Sequence, residues 1–176
     1  MGELHTPEPG KLFCAMLAGQ ASWLDEACDM LDAHLSPVER VSEDWPFTAT
    51  DYYRAEMGED ILRRIISFEQ PINPARIVEI KLFTNEVEEE LADRHMTGPA
   101  RPVNLDPGYL TPARLVLATT KNYQHRIYLR RGIYAEVTLG WQDDQFTTFE
   151  WTYPDYSTEK YLQFFRKVRE DYMKQR

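Results

Sequence analysis

The chain has 176 residues, of which 43% are hydrophobic and 12% aromatic, and a formal net charge of −9. That length and composition suit one domain with a substantial buried core and exclude a disordered chain. The acidic balance argues against a protein that coats DNA or RNA, because such binding depends on clustered Lys and Arg side chains that neutralise phosphates. It leaves room for a small anionic ligand in a locally basic pocket.

Membrane and secretion signals are not recognisable in the sequence. No apolar run approaches the roughly 18 residues of a membrane span, and the first residues lack the pattern of a signal peptide. The only two cysteines, Cys14 and Cys28, lie in apolar patterns typical of reduced, buried thiols. We therefore expect a cytoplasmic protein with no membrane or nucleic-acid partner, and the sequence does not define its oligomeric state.

The first half of the chain predicts the order strand, helix, strand, strand, helix. Residues 1–10 are polar and proline-rich, which predicts a flexible tail. The strands are expected at Lys11–Leu17, Val38–Ser42 and Leu62–Phe68, and the helices are expected to begin at Ser22 and at Asn73-Pro74. This order is the ferredoxin-like split βαβ pattern, which a fourth strand at Pro102–Leu105 would complete. Trp45–Gly58 has no clean period and predicts a long connection or an irregular strand.

The second half predicts an antiparallel, hairpin-rich sheet followed by a C-terminal helix. Its strands are expected within Asn104–Leu110, Leu115–Leu129, Gly132–Trp141 and Phe149–Tyr156. Ser157 is expected to cap the last helix, whose apolar stripe begins at Tyr161. Because no linker separates the halves, residues 11–176 are predicted to form one α+β domain.

One hairpin register can be predicted in detail. Leu129 and Ile133 flank Arg130-Arg131-Gly132, which fits a three-residue loop with Gly where a positive φ is needed. Leu129 and Ile133 would then share the core face. On the other face the expected pairs are Tyr128 with Tyr134 and Arg126 with Glu136. A two-residue loop would put Arg130 opposite Ile133 and break this match.

Familiar catalytic and nucleotide-binding motifs are missing. The sequence contains no P-loop, no G-x-G-x-x-G, no G-x-S-x-G, no H-E-x-x-H and no C-x-x-C. It therefore indicates no particular cofactor.

Candidate ligand-binding side chains are concentrated in residues 119–126. Thr119, Thr120, Lys121 and Arg126 are suitable donors for a phosphate or carboxylate. His125 is the best candidate acid or base, because the ordinary pKa of histidine lies near neutrality. The structural alternative is a solvated lysine, an Arg126–Glu136 cross-strand pair and a hydrogen-bonded histidine at a strand end.

Asp106 is the second catalytic candidate, since it could orient His125. It could equally begin a Pro-Gly turn in Asn104–Tyr109, where Asp bonds its own backbone. His125, Asp106 and Glu136 have metal-ligand chemistry but no diagnostic spacing, so we predict no metal site. The remaining candidate ligand-binding residues are Tyr128, Tyr134, Glu136, Asp51, Glu56, Tyr153 and Asp155.

Two functional hypotheses follow. In the first, the protein binds a small anionic ligand, with phosphorylated compounds as one class, on the polar side of the second sheet. The enzyme version of this hypothesis uses His125 as acid or base. In the second, the protein is a non-catalytic module that binds a protein partner. A concave pocket beside Arg126 would favour the first, and a flat exposed apolar patch would favour the second.

Several runs of this sequence resemble a bacterial family catalogued as domain of unknown function 4416. The similar runs are Lys11–Phe13 with Ala15–Gly19, Thr50–Tyr53 with Glu56–Gly58, Ile80–Leu82 with Thr84-Asn85, Val103–Leu110, Leu117–Lys121, His125–Leu129, Gly132–Glu136 and Trp151–Tyr156. The resemblance covers nearly the whole chain and implies membership of that family. It implies no particular activity, cofactor or site.

Overall fold

The computed structural model describes residues 2–176, which form nine strands and four helices. The strands are β1 (Lys11–Ala18), β2 (Val38–Val41), β3 (Trp45–Pro46), β4 (Leu62–Phe68), β5 (Val103–Thr111), β6 (Arg114–Thr119), β7 (Ile127–Arg130), β8 (Ile133–Gln142) and β9 (Gln145–Thr148). The helices are α1 (Ala21–His34), α2 (Arg54–Met57), α3 (Ile77–Arg94) and α4 (Glu159–Gln175). Single 3-10 turns at Pro74–Arg76 and Pro154–Ser157 precede α3 and α4.

All nine strands belong to one antiparallel sheet. Its order is β2-β4-β1-β5-β6-β8-β7, with β3 paired to β4 and β9 paired to β8. The first four positions have the strand order of the split βαβ pattern, so the predicted α+β class and ferredoxin-like half are confirmed. The pairing of β5 with β6 joins the two halves. The hairpin-rich part is therefore a continuation of the first sheet and not a second one.

The sheet has a core on each face. Strand β1 is buried along its whole length, as its apolar run predicts, and its side chains alternate between the faces. Leu12 and Met16 belong to the core beneath α1 and α3. Phe13 and Ala15 belong to the core beneath α4, where the Phe13 ring lies 5.0 Å from that of Phe165. The predicted apolar stripe of α4 is buried here.

The helix starts differ from the predicted caps at two of three positions. Helix α1 begins at Ala21 after Gln20, so Ser22 lies inside the first turn and does not cap it. Ser157 lies in the 3-10 turn that precedes α4, and Thr158 occupies the N-cap position. The Asn73 cap is confirmed, since its side chain accepts a hydrogen bond from the Ala75 N–H.

The segment Asn104–Tyr109 is part of strand β5, so the interpretation as a Pro-Gly turn was wrong. Residues 103–110 pair continuously with β1, and this long pairing outweighs local turn propensity. Pairing with β6 begins only at Gly108, opposite Leu117, next to Pro107, which has no N–H to donate. The residues of β5 before Gly108 and the residues of β6 after Leu117 are therefore not paired with each other.

The β7–β8 hairpin also differs from prediction. Its loop has two residues, Arg131 and Gly132, both with positive φ (53° and 78°), and Arg130 pairs with Ile133. A bulge at Leu129 then restores the Tyr128–Tyr134 pair, which was predicted correctly. Leu129 was expected on the core face, but it is exposed because β7 is the edge strand.

The structure also describes three other segments for which the sequence made a prediction. The last hairpin strand is β9, residues 145–148, and not Phe149–Tyr156. Trp45–Gly58 contains the short β3 and α2 joined by irregular chain. Residues 2–9 have no regular secondary structure, and Gly10 is bridged to Ile72.

No helix within residues 2–176 combines the length and the apolar character required to cross a lipid bilayer.

Candidate functional site

A cavity of about 410 Å³ opens on the sheet face that carries α4. Strand alternation puts Arg63 on the same face as Ile65, and Asp106 on the same face as Leu110. Ile65 and Leu110 pack in the core beneath α4, whereas Arg63 and Asp106 line the cavity. The sheet face is therefore divided into an apolar end beneath the helix and a polar end that is open. The cavity volume falls in the range of small-molecule sites.

Three further segments form the walls. One is the irregular chain between β3 and β4, which contributes Phe47, Thr50, Tyr52 and Tyr53. The second is the end of β6 and the turn after it, with Thr119, Thr120, Lys121 and Arg126. The third is the turn before α4, with Tyr153, Pro154, Asp155 and Tyr156. Lys81 reaches the cavity from α3, on the opposite side of the sheet, where β5 and β6 are unpaired.

The cavity is locally basic in an acidic protein. Its lining includes the cations Arg63, Lys81, Arg101, Lys121 and Arg126 and the acids Asp106, Glu136 and Asp155. Five positive and three negative side chains leave an excess of two positive charges, against −9 for the whole chain. The cavity is therefore a locally basic pocket of the kind that the acidic composition of the whole chain did not exclude.

Arg63 is the buried cation of the cavity floor, and only 4% of its surface is exposed. Its Nη2 donates to Asp155 Oδ2 at 3.1 Å. Its Nη1 lies 3.9 Å from Asp106 Oδ2, which is beyond hydrogen-bond distance. Neither Nε nor Nη1 has a hydrogen-bond partner among residues 2–176. The guanidinium lies 5.0 Å from the centroid of the Phe47 ring, so Arg63 is held in place but keeps donors to spare.

Asp106 is held beside Arg63 by its neighbours on β5 and α3. Asn104 donates from Nδ2 to Asp106 Oδ2 at 2.7 Å. Lys81 Nζ lies 4.0 Å from Asp106 Oδ1, while it donates to the Leu105 carbonyl at 2.6 Å. The carboxylate therefore has a cation on each side, and its Oδ1 oxygen accepts no hydrogen bond from residues 2–176.

Glu88 of α3 anchors the other two cations at this end of the cavity, Lys81 and Arg101. Its carboxylate accepts from the Leu105 N–H at 2.7 Å and from Arg101 Nη2 at 2.9 Å. Burial raises the pKa of Glu88, while Lys81 and Arg101 oppose that shift. Arg101 and Lys81 are therefore already paired with an acid behind the cavity wall.

Glu136 organises the opposite end. It is buried, and its Oε2 accepts from Arg126 Nε at 2.7 Å, which is the side-chain pair predicted from the hairpin. Arg126 also donates from Nη1 to the Lys121 carbonyl at 3.0 Å and from Nη2 to Tyr153 Oη at 2.6 Å. Every nitrogen of Arg126 is thus bonded to the protein, so this residue braces the wall.

His125 lies behind this wall and does not line the cavity. Its Nε2 is 3.1 Å from Glu136 Oε2, and its ring stacks on Trp151 with centroids 5.3 Å apart. Asp106 was predicted to orient His125, but the acid in contact with its imidazole is Glu136. The position of His125 suits a residue that orients Glu136.

Lys121 differs from the other lining cations because it forms no ion pair with any residue from 2 to 176. Its Nζ lies 3.3 Å from Tyr52 Oη and 4.4 Å from the centroid of the Tyr52 ring. Its backbone N–H donates to Thr119 Oγ1 at 3.2 Å. An exposed ammonium in contact with a tyrosine hydroxyl therefore lies at the rim of the cavity, which Thr119 and Thr120 also line.

Three tyrosines of the cavity, Tyr53, Tyr153 and Tyr156, act as neutral hydroxyls. Burial raises the pKa of Tyr153 to about 12 and raises those of Tyr53 and Tyr156 as well. Tyr156 Oη is buried and has no hydrogen-bond partner within residues 2–176. These groups remain protonated donors throughout the physiological range.

The structure brings together eight of the thirteen residues that the sequence selected. Those that line the cavity are Asp106, Thr119, Thr120, Lys121, Arg126, Glu136, Tyr153 and Asp155. Those outside its lining are His125, Tyr128, Tyr134, Asp51 and Glu56. Tyr128 and Tyr134 pack on each other at 5.3 Å, and Asp51 pairs with Arg54 on the surface. No cluster of three or more His, Cys, Asp or Glu side chains in the described chain has the arrangement of a metal site.

Sequence reasoning missed Arg63, Lys81 and Arg101. Arg63 follows the apolar periodicity of a central strand at a position where an apolar residue is the ordinary choice, and Lys81 lies among the buried positions of α3. A charged residue at a core position is a signal that could have identified both.

The chain belongs to the family described as Domain of unknown function (DUF4416), whose profile matches residues 8–172. Neither the curated proteins nor the solved structures contain a significant match.

Proposed function

We propose that this member of the DUF4416 family binds a small anion in the cavity, with Lys121 as the main electrostatic contact. The observation that carries the proposal is the unbalanced charge at the rim. Arg126 is paired with Glu136, Arg63 with Asp155, and Lys81 and Arg101 with Glu88. Only Lys121, among the lining cations, has no acidic partner in the described chain.

The surroundings of Lys121 favour an anion with several acceptor oxygens. Lysine binds phosphate as a point charge, and the hydroxyls of Thr119 and Thr120 are neutral donors that line the same cavity. Tyr52 Oη is a third hydroxyl at the same rim. A phosphate monoester matches this set of one charge and several donors.

The proposed function is binding without a catalytic step, because His125, the candidate acid or base, does not line the cavity. Cys14 and Cys28 are both free thiols, which supports the cytosolic location proposed for the protein. The concave cavity beside Arg126 favours a small ligand over the alternative of a non-catalytic interaction module.

The test compares Lys121→Gln with Lys167→Gln, which removes the same charge from an exposed position of α4 outside the cavity. Titration calorimetry with inorganic phosphate and with glycerol 3-phosphate should show binding to wild type and to Lys167→Gln. Lys121→Gln should lose affinity by about tenfold. Binding to the other two should weaken as salt is raised, because the rim is exposed. Equal affinities in all three proteins would contradict the proposal.

A further inference from the structure

We propose that the cavity selects anions carried on a hydroxylated carbon skeleton, such as the phosphates of polyols, and that Arg63 with Asp106 recognises a ligand hydroxyl. This inference rests on the proposed function. It adds a second contact point, on the cavity floor, to the anion contact at Lys121.

Arg63 provides the donor for this contact. A guanidinium has five N–H donors, and among the described residues the one acceptor for Arg63 is Asp155, which is bonded to Nη2. Nε and Nη1 are buried and unpartnered within residues 2–176. A buried cation with unused donors costs stability unless an acceptor reaches it. A ligand oxygen that accepts from Arg63 on the cavity floor would remove that cost.

Asp106 provides the acceptor. Its Oδ2 is bonded to Asn104 Nδ2, and its Oδ1 accepts no hydrogen bond from the part of the chain that the structure describes. Arg63 Nη1 and Asp106 Oδ2 are 3.9 Å apart, too far to satisfy each other. A hydroxyl both accepts and donates, and so one hydroxyl can bond to Arg63 and to Asp106 at the same time.

The charges around Asp106 discriminate between a hydroxyl and an amine. Two buried cations already flank the carboxylate, with Arg63 Nη1 at 3.9 Å and Lys81 Nζ at 4.0 Å. A ligand ammonium would be a third cation in the same place and would be repelled by both. A neutral hydroxyl donates to the carboxylate without adding charge.

The rest of the cavity suits a skeleton with more than one hydroxyl. Tyr156 Oη is a second buried group without a partner in the described chain, and it lines the same cavity. A volume of about 410 Å³ far exceeds the needs of an inorganic anion alone. The ligand class is therefore an anionic polyol, with its charge at Lys121 and its hydroxyls on the floor.

The experiment compares three probes that share a phosphate: glycerol 3-phosphate, propyl phosphate and O-phosphoethanolamine. Calorimetric affinities are measured for wild type, Asp106→Ala and Asp93→Ala, the last of which removes a negative charge from an exposed position of α3. Wild type and Asp93→Ala should bind glycerol 3-phosphate about tenfold tighter than propyl phosphate. O-phosphoethanolamine should bind no tighter than propyl phosphate. In Asp106→Ala the preference should vanish, while propyl phosphate binds as well as before or better, because a negative charge has been removed.

Three results would contradict hydroxyl recognition by Arg63 and Asp106. Equal binding of glycerol 3-phosphate and propyl phosphate to wild type would refute hydroxyl recognition and leave the proposed function intact. Binding of neither would refute both. A preference that survives in Asp106→Ala would place the hydroxyl contact elsewhere. The wild-type comparison decides the matter even if Asp106→Ala does not fold.

Discussion

One sheet face buries a cation at each of its ends, and the two cations differ in how many hydrogen-bond acceptors surround them. Lys11 begins β1 beneath the end of α4, and Arg63 lies on β4 opposite Leu17, the penultimate residue of β1. Lys11 Nζ lies 2.6 Å from Glu39 Oε2 and donates to Gln175 Oε1 at 3.0 Å and to the Glu69 carbonyl at 3.2 Å. Its three donors have three acceptors. Arg63 has one acceptor and two nitrogens without any in the described chain.

The difference separates a structural charge from one available to a ligand. Both side chains have lost their water, and each therefore needs protein partners or a ligand to compensate. Lys11 is compensated by β2, α4 and the chain after β4, and so it ties those elements together. Arg63 is fixed by Asp155 and Phe47 but still faces an open cavity.

The largest expected effect comes from Lys11→Met. It removes the ammonium from Glu39, Gln175 and the Glu69 carbonyl together, and breaking a buried pair from one side costs about 4 kcal/mol of unfolding free energy. Urea denaturation measures the loss, with the exposed Lys167→Met as control, which should stay within about 0.5 kcal/mol of wild type. A loss below about 1 kcal/mol for Lys11→Met would mean that Lys11 does not stabilise the fold, although all three of its donors have acceptors.

Gly108→Ala tests the packing of β5 against β6 between the apolar end of the sheet face and the cavity. A Cβ at Gly108 would lie 2.3 Å from the Val116 carbonyl oxygen and 2.4 Å from the Phe13 ring, so β6 or the core beneath α4 must shift. We expect a loss of about 3 kcal/mol in unfolding free energy. Gly2→Ala is the control, since nothing lies within 4 Å of a Cβ there. An unchanged midpoint for Gly108→Ala would show that β5 and β6 are not in close contact.

Replacing both partners at the cavity floor should cost far less. Arg63→Met combined with Asp155→Asn leaves no isolated charge behind at that pair, and such replacements of buried ion pairs are often neutral within about 1 kcal/mol. The variant should nevertheless lose the preference for glycerol 3-phosphate over propyl phosphate. A stability loss as large as that of Lys11→Met would make Arg63 a structural charge after all.

The fold was more predictable than the site because the two depend on different information. Apolar periodicity is local, and it located β1, β4 and the stripe of α4. The continuous strand through Pro107 depends on pairing with β1, a distant part of the chain, and that pairing outweighs local turn chemistry. The bulge at Leu129 inserts one residue into its hairpin, and strict strand alternation does not predict such an insertion. The Arg126–Glu136 pair was accessible because a single hairpin joins its partners. Arg63 and Asp106 come together only through β1, which lies between their strands, and so their proximity could not be read from sequence spacing.

The smallest effect concerns the pH dependence of the cavity wall. Burial is the main cause that raises the pKa of Tyr153 from 10.0 to about 12, so its neutral form is favoured in the folded state. The stability that this preference contributes is complete below pH 10 and is lost as pH rises through 12. In a spectrophotometric titration, the difference between wild type and Tyr153→Phe should be one phenol that ionises near pH 12. A difference centred at pH 10 would mean that Tyr153 is solvated and does not brace Arg126.

Lys11 is assigned as a structural cation and Arg63, on the same sheet face, as a cation available to a ligand. A crystal structure with glycerol 3-phosphate is the most direct test of this assignment. The phosphate should lie within hydrogen-bond distance of Lys121 Nζ, and a hydroxyl should bond to both Arg63 and Asp106, while Lys11 keeps its three protein partners. A phosphate bound away from Lys121, or hydroxyls that point into solvent with Arg63 still unpartnered, would contradict the assignment.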